Sequence, residues 1–237
     1  MIALTFALPD ESRGFRGKLT GRQSHATDRW HRLPIVTGRR DERFVAVVHT
    51  GVGEIGFYRR RLESFLAKEK PRLLISSGYA GGLQPGLAAG DLVLGENVSN
   101  AEILRTAQGL LTACAPRTGA LISRPEVAES ARGKRTLGTN TGALAVDMET
   151  RWIAAACAAG GVPMLSLRAI SDAVEEAFPV PGHVLFDSQR QRPRYAALPL
   201  WLLCHPARIK PFARFVRGVG LAQRRMTDAL QTLAAGL

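Results

Sequence analysis

The sequence predicts an α/β fold, an α/β/α sandwich around a central mixed sheet, and three observations predict it. Short apolar runs bounded by glycine, proline or charge read as strands covered by helices on both faces. Helical patterns alternate with those runs, as in a largely parallel or mixed sheet with flanking helices. The chain has 237 residues with 46% apolar content, enough for one large core, so residues 1–237 read as a single domain.

The expected strands, in order, are IALTFAL (2–8), FVAVVHT (44–50), LLISS (73–77), DLVLGE (91–96), GALIS (119–123), ALAVDM (143–148) and MLSLRAI (164–170). Helical patterns fall at 54–69, 102–114, 125–132 and 150–160, followed by C-terminal helices at 195–206 and 208–235. Residues 13–43 are basic and poor in apolar periodicity, and read as a hairpin or long loop. No internal repeat, low-complexity tract or clean linker interrupts the chain.

Composition narrows the function classes. No apolar run is long enough for a membrane span, and MIALTFALPDES reads as a first strand without a positive leader, so no signal peptide is expected. Cys114, Cys157 and Cys204 are scattered and odd in number, which fits free thiols in a reducing cytosol. His25, His31, His49, His183 and His205 show neither metal-ligand spacing nor a Ser/Asp partnership, so no metal or cofactor is expected and none is assigned to catalysis.

The formal charge of +12 is concentrated late in the chain. From Gln189 onward stand Arg190, Arg192, Arg194, Arg208, Lys210, Arg214, Arg217, Arg224 and Arg225, against the one acid Asp228. This basic helical segment, 189–237, has a solubility reading and an anionic-surface reading, membrane or nucleic acid. Leu198, Leu200, Trp201, Leu202, Leu203, Phe212 and Phe215 are interleaved with its charges. They fit either a core-packing helix pair with basic outer faces or an interfacial element with an apolar groove for a lipid tail.

Ligands of open α/β sheets sit beyond the carboxyl ends of the strands, and the chemistry-bearing residues cluster there. Glu11 follows the first strand, Gly51 and Gly53 the second, and SGYAGG (77–82) the third; Met148 and Glu149 end the sixth, and Ser171 and Asp172 the seventh. SGYAGG reads as a strand entering a tight glycine turn, and its G-x-x-G-G spacing does not match the G-x-G-x-x-G of a dinucleotide site. TGVGEIG (50–56) reads as a helix start whose free N–H groups suit an anion or a hydroxyl. Glu149 falls in the first turn of helix 150–160, where the helix dipole favours its ionised form. It is either a plain helix-start acid or an acceptor for two adjacent hydroxyls. Asp147 reads as a helix cap. Met148 is either core or an apolar surface under a sugar. Asp172 is either a turn cap with Ser171 or an acid kept protonated by desolvation or by its neighbours Glu149 and Asp147, unless Arg168 touches it.

These residues carry a resemblance. ALPDES (7–12), TGVGEIG (50–56), SGYAGGLQPGLAAGDLVL (77–94) and AVDMET…VPMLSLRAISDA (145–173) stand in the order of the purine nucleoside phosphorylase and methylthioadenosine/S-adenosylhomocysteine nucleosidase superfamily. The chain resembles that superfamily from its first strand to about residue 175, and V-D-M-E followed by R-A-I-S-D is the specific part. The last sixty or so residues look most like a hopanoid-associated branch that acts on a nucleoside attached to a membrane lipid.

The resemblance implies a partly barrel-like, nucleoside phosphorylase-like sheet. It also implies Asp172 as the acid that protonates purine N7, Glu149 as the ribose-hydroxyl anchor with Met148 beneath the sugar, and Glu11 at the attacking water. Arg168 falls near that water or near phosphate, and Gly81 with Tyr79, Ala80 and Ser171 belongs to the sugar and base lining. The implied reaction is cleavage of the N-glycosidic bond of an adenine nucleoside, with an acid on one face and a base on the other.

The chain departs from the family pattern at Tyr79, where nucleosidases carry serine, and at SRPEV (123–127), which replaces the loop facing the adenine edge. Ser76 and Ser77 stand where phosphorylases place an arginine, which argues for water over phosphate. Phosphorolysis and non-catalytic nucleoside or nucleic-acid binding are the competing readings. A nucleic-acid partner is disfavoured because all the candidate acids are present. The resemblance further implies a homo-oligomer, a dimer or hexamer. The expected location is the cytoplasm, with peripheral contact at the inner membrane surface.

Overall fold

A computed structural model describes residues 1–25, 34–187, 191–194 and 197–237. His31, Arg190, the side chain of Arg192, part of the 13–43 segment and the first residues of the expected helix 195–206 lie outside the described residues. The elements run β1 (Ile2–Phe6), α1 (Arg13–Arg16), β2 (Thr20–His25), β3 (Ile35–Arg40), β4 (Arg43–His49), α2 (Gly56–Glu69) and β5 (Leu73–Gly82). They continue β6 (Leu92–Gly95), α3 (Ala101–Leu110), β7 (Arg117–Gly119), β8 (Leu121–Ser123), α4 (Ala131–Thr141), β9 (Ala145–Asp147), α5 (Thr150–Ala159) and β10 (Met164–Asp172). The last are α6 (Gly182–Leu185), β11 (Phe186–Asp187), β12 (Arg192–Pro193), α7 (Ala197–Cys204) and α8 (Ile209–Gly236).

Among the described residues ten strands form one mixed sheet, ordered β2-β3-β4-β1-β5-β10-β6-β7. Its centre is parallel: β1 pairs with β4 and β5, and β5 with β10. Antiparallel pairs join β2 to β3, β3 to β4 and β6 to β10. At its far end β5 branches, with Gly81 and Gly82 pairing antiparallel to β9, which pairs in turn with β8.

The predicted two-sided burial is visible along β1. Ile2, Leu4 and Phe6 join Leu165, Leu167 and Ala169 of β10 against Met226, Leu230 and Leu233 of α8. Ala3 points the other way, with Leu74 and Met164, onto Leu62 and Leu66 of α2 and Trp152, Ile153 and Ala156 of α5. Each fully buried leucine or isoleucine contributes roughly 1.5–3 kcal/mol through burial, so both faces are needed to hold the sheet.

Several boundaries differ from the sequence reading, with clear causes. The 13–43 segment supplies α1 and an antiparallel β2–β3 pair, in line with the hairpin reading, and its second strand extends the sheet beside β4. The expected turn at SGYAGG is a continuing strand, because β10 runs alongside as far as Gly81 and satisfies its backbone groups. Ser171 and Asp172 are likewise the end of β10 and not a turn cap. The helix expected at 125–132 begins later, at Ala131, where Ser130 caps it by accepting the Gly133 amide at 3.0 Å. Its buried residues are Lys134 and Gly138, so it carries no apolar stripe to read.

Candidate active site

The carboxyl ends of β1, β5, β9 and β10 surround a cavity of about 240 Å³. Glu11, Tyr79, Ala80, Gly81, Met148, Glu149, Arg168, Ser171 and Asp172 all line it, although they come from four separate stretches of chain. Glu126, of the SRPEV stretch, and Phe215, of the apolar C-terminal set, also line it, as do Lys134, Phe178 and Val219, which the sequence does not single out. Beyond Glu11, Tyr79 and Met148 the cavity continues into a groove of about 1390 Å³.

Glu11 is held by the turn that follows β1. The Glu11 amide donates to the Leu8 carbonyl at 3.2 Å, and its Oε2 accepts from the Ala7 amide at 3.2 Å. A buried contact fixes the next residue. His49 Nδ1 faces the Pro34 carbonyl at 2.6 Å, which assigns the ring proton there and leaves Nε2 to accept from Ser12 Oγ at 2.8 Å. Burial lifts the Glu11 carboxyl to about 7, against the opposing charge of Arg168 and the amides of Ala7 and Leu8. Burial also pushes the Tyr79 phenol up, reinforced by the charges of Glu11 and Asp10, so it faces the cavity as a neutral hydroxyl.

Glu149 occupies the cap position at the start of α5. Its Oε1 accepts the Gly53 amide at 2.7 Å. Gly53 has φ +77°, a conformation that aims its N–H at the carboxylate and that glycine adopts without strain. The expectation that the helix dipole keeps Glu149 ionised is corrected. Burial, then the nearby charge of Asp147, pushes its carboxyl well above the usual range, and the Gly53 hydrogen bond offsets this only in part.

Asp172 sits at a bulge in β10, where the register shifts between Ile170 and Asp172 and places Asp172 opposite Gly81. Its Oδ1 accepts from Ser171 Oγ at 2.5 Å, and its Oδ2 accepts from Lys134 Nζ. Lys134 is 1% exposed and Asp172 5%, so this is an ion pair inside the protein.

Arg168 lines the cavity but does not touch Asp172, and its five N–H groups are all taken. Nε donates to Asp147 Oδ2 at 2.8 Å, Nη1 to the Ser76 and Leu167 carbonyls, and Nη2 to Ser76 Oγ and Thr150 Oγ1. A guanidinium with no spare donor acts on the cavity through its field and not by contact. Asp147 is a buried cap, as read from the sequence: it accepts the Thr150 amide and hydroxyl, and Ser123 Oγ at 2.6 Å. Ser123 begins SRPEV, whose Glu126 and Val127 line the cavity.

An α/β sheet with an acid-lined, sugar-and-base-sized cavity at its strand ends defines a small-molecule site of the enzyme kind. The family model of the phosphorylase superfamily matches residues 2–116 and 116–198, and the chain belongs to that superfamily. A 5′-methylthioadenosine/S-adenosylhomocysteine nucleosidase of Exiguobacterium sp. is 24% identical over 204 residues, covering 74% of this chain and 86% of its own. The Neisseria meningitidis nucleosidase of the same name, solved with methylthio-immucillin-A, superposes with a TM-score of 0.74 at 16% identity, covering 100% of this chain and 99% of that one. Futalosine hydrolase of Helicobacter pylori gives 0.72 at 15% identity, covering 100% and 97%. These structures share the fold.

Proposed function

We propose that this chain is an enzyme that hydrolyses the N-glycosidic bond of an adenine nucleoside. One observation carries the choice of water over phosphate. The cations lining the cavity, among the described residues, are Lys134 and Arg168, and the N–H groups of both are spent on protein acceptors. A phosphate dianion entering there would meet acidic side chains and no free cationic donor.

The roles follow from the chemistry of the bond. Positive charge builds on the ribose as C1′–N9 stretches, and the base leaves readily only when protonated. Asp172 delivers that proton to purine N7, a contribution on the order of 10²–10⁴ in rate. Glu149 binds the ribose hydroxyls and, in its ionised form, which its raised carboxyl reaches only above the usual carboxylate range, opposes the developing positive charge, with Met148 under the sugar. Glu11, at about 7, takes the proton of the attacking water near neutral pH. Tyr79, Ala80, Gly81 and Ser171 enclose sugar and base, and Arg168 holds the floor of the site.

We read the 5′ substituent as large and apolar, a lipid-linked nucleoside. The groove beyond the sugar position supports this, being lined by Leu185, Phe186, Phe212, Phe215 and Val216, with Phe178 and Phe215 edge-to-face at 4.9 Å. Among the described residues no helix is long and apolar enough to cross a membrane. Exposed Leu200, Leu203 and Ile209 beside Arg208 and Lys210 instead support peripheral contact with an anionic membrane. We read residues 1–237 as one functional unit, since α8 packs on β10 while its Phe215 and Val219 line the cavity. A cytoplasmic homo-oligomer is part of the same reading and rests on the resemblance.

Adenine release from 5′-methylthioadenosine and from an adenosine with a long 5′ alkyl chain, with and without phosphate, tests the proposal. Release without phosphate from the alkyl substrate, with sedimentation on anionic liposomes, supports it. A phosphate requirement overturns the hydrolase reading. Efficient turnover of the short substrate alone, with no liposome binding, overturns the lipid-linked one.

A further inference from the structure

We propose that Lys134 supplies the proton that Asp172 delivers to the leaving base. The inference rests on the hydrolase reading above and adds a residue to it. Asp172 is asked to act as an acid, yet both of its oxygens accept hydrogen bonds, Oδ1 from Ser171 and Oδ2 from Lys134. A carboxylate so held needs a proton from a neighbour. The other titratable groups lining the cavity are Glu11, Tyr79, Glu126, Asp147, Glu149 and Arg168, and none of them hydrogen-bonds Asp172 among the described residues. Lys134 does so directly.

The lysine is built into this position. Its Nζ also donates to the Ala173 carbonyl at 3.0 Å and the Glu176 carbonyl at 2.9 Å, so a buried ammonium has an acceptor for each of its protons. Helix α4 is brought close by Gly138, where an added Cβ would lie 2.3 Å from the Leu83 carbonyl oxygen. Gly81 pairs opposite Asp172, and a Cβ there would stand in ordinary contact with both Oδ2, at 3.6 Å, and the Lys134 Cε, at 3.7 Å, so the ion pair sits directly beside the glycine stretch of β5.

The step balances. As C1′–N9 breaks, its electron pair leaves with the base. N7 takes a proton from Asp172, and Asp172 takes one from Lys134 Nζ, giving a neutral base and a neutral amine. Water adds hydroxide to C1′ and gives its other proton to Glu11. Between turnovers Lys134 regains a proton from solvent and Glu11 loses one.

Lys134 acts through Asp172, so the test must separate proton supply from mere support. Lys134→Arg keeps a cation beside Asp172 but does not release its proton. The expected result is a kcat lowered by about 10²–10³-fold with little change in KM. In Lys134→Ala, methylammonium or ethylammonium restores turnover, while guanidinium and tetramethylammonium do not. Adenine binding by each variant confirms a folded site. If Lys134→Arg retains full kcat, or guanidinium or tetramethylammonium rescues as well as methylammonium, Lys134 is only a structural cation and the proposal falls. Failure of wild-type protein to release adenine from any nucleoside would instead refute the hydrolase reading, so the two failures are distinct.

Discussion

Glu149 and Gly53 are 96 residues apart in sequence and meet through a 2.7 Å hydrogen bond from the Gly53 amide to Glu149 Oε1. That bond ties the turn after β4 to the start of α5 and fixes a carboxylate against one wall of the cavity. Glu149→Gln keeps the acceptor and removes the ionisable carboxyl, so no negative charge can form there as the ribose becomes positive. Steady-state kinetics should show kcat/KM lower by about 10²–10³-fold, with adenine affinity nearly unchanged. An equal loss of adenine affinity would place Glu149 at the base and not the sugar.

Glu11 makes a prediction about pH and activity. Its carboxyl lies at about 7 and must be ionised to take a proton from water, so kcat/KM should rise with pH through about 7. Glu11→Gln should remove that limb along with most of the activity. A limb that persists in the variant assigns it to another group.

The same shift predicts stability. The folded state keeps the Glu11 proton up to about 7, while the unfolded chain loses it near 4.5, so stability falls as pH rises through that window. Glu11→Gln should match wild type at pH 4 and exceed it by roughly 1–3 kcal/mol at pH 8. Chemical denaturation at the two pH values measures the difference; equal stabilities at pH 8 would contradict the assignment.

Arg168 and Asp147, each almost wholly buried, form a second ion pair 2.8 Å apart. Arg168→Met leaves the Asp147 charge unpaired inside the protein and should cost about 3–5 kcal/mol in urea denaturation. Adding Asp147→Asn should recover part of that loss, because the two residues are coupled.

Gly138→Ala should destabilise by about 1–3 kcal/mol and lower kcat more than KM. The added methyl meets the Leu83 carbonyl and pushes α4 away, taking Lys134 from Asp172. Thermal melting and kinetics on the same sample check both parts.

How far the sequence carries these arguments depends on the element. The strands expected at 2–8, 73–77 and 164–170 are legible because the runs are apolar and bounded by glycine, proline or charge, and they appear as Ile2–Phe6, Leu73–Gly82 and Met164–Asp172. Glu11, Glu149 and Asp172 are legible as strand-end acids. Lys134 is not: a lysine in a helix of Arg, Gly and Thr reads as solvated, and only the packing of Gly138 on Leu83 reveals that it is buried. The continuation of β5 through SGYAGG is hidden for a similar reason, since its glycines become strand through pairing with β9 and β10 and not through propensity. At Glu149 burial outweighs the helix dipole, and that burial, set by the packing of distant strands, is not legible in the sequence.

The most direct test is a crystal structure with a non-cleavable adenine nucleoside analogue. The prediction is purine N7 within hydrogen-bond distance of Asp172, ribose hydroxyls on Glu149, and a water between Glu11 and C1′ on the face opposite the base. A ligand seated elsewhere, or one bound with Asp172 and Glu149 turned away from it, would contradict the account.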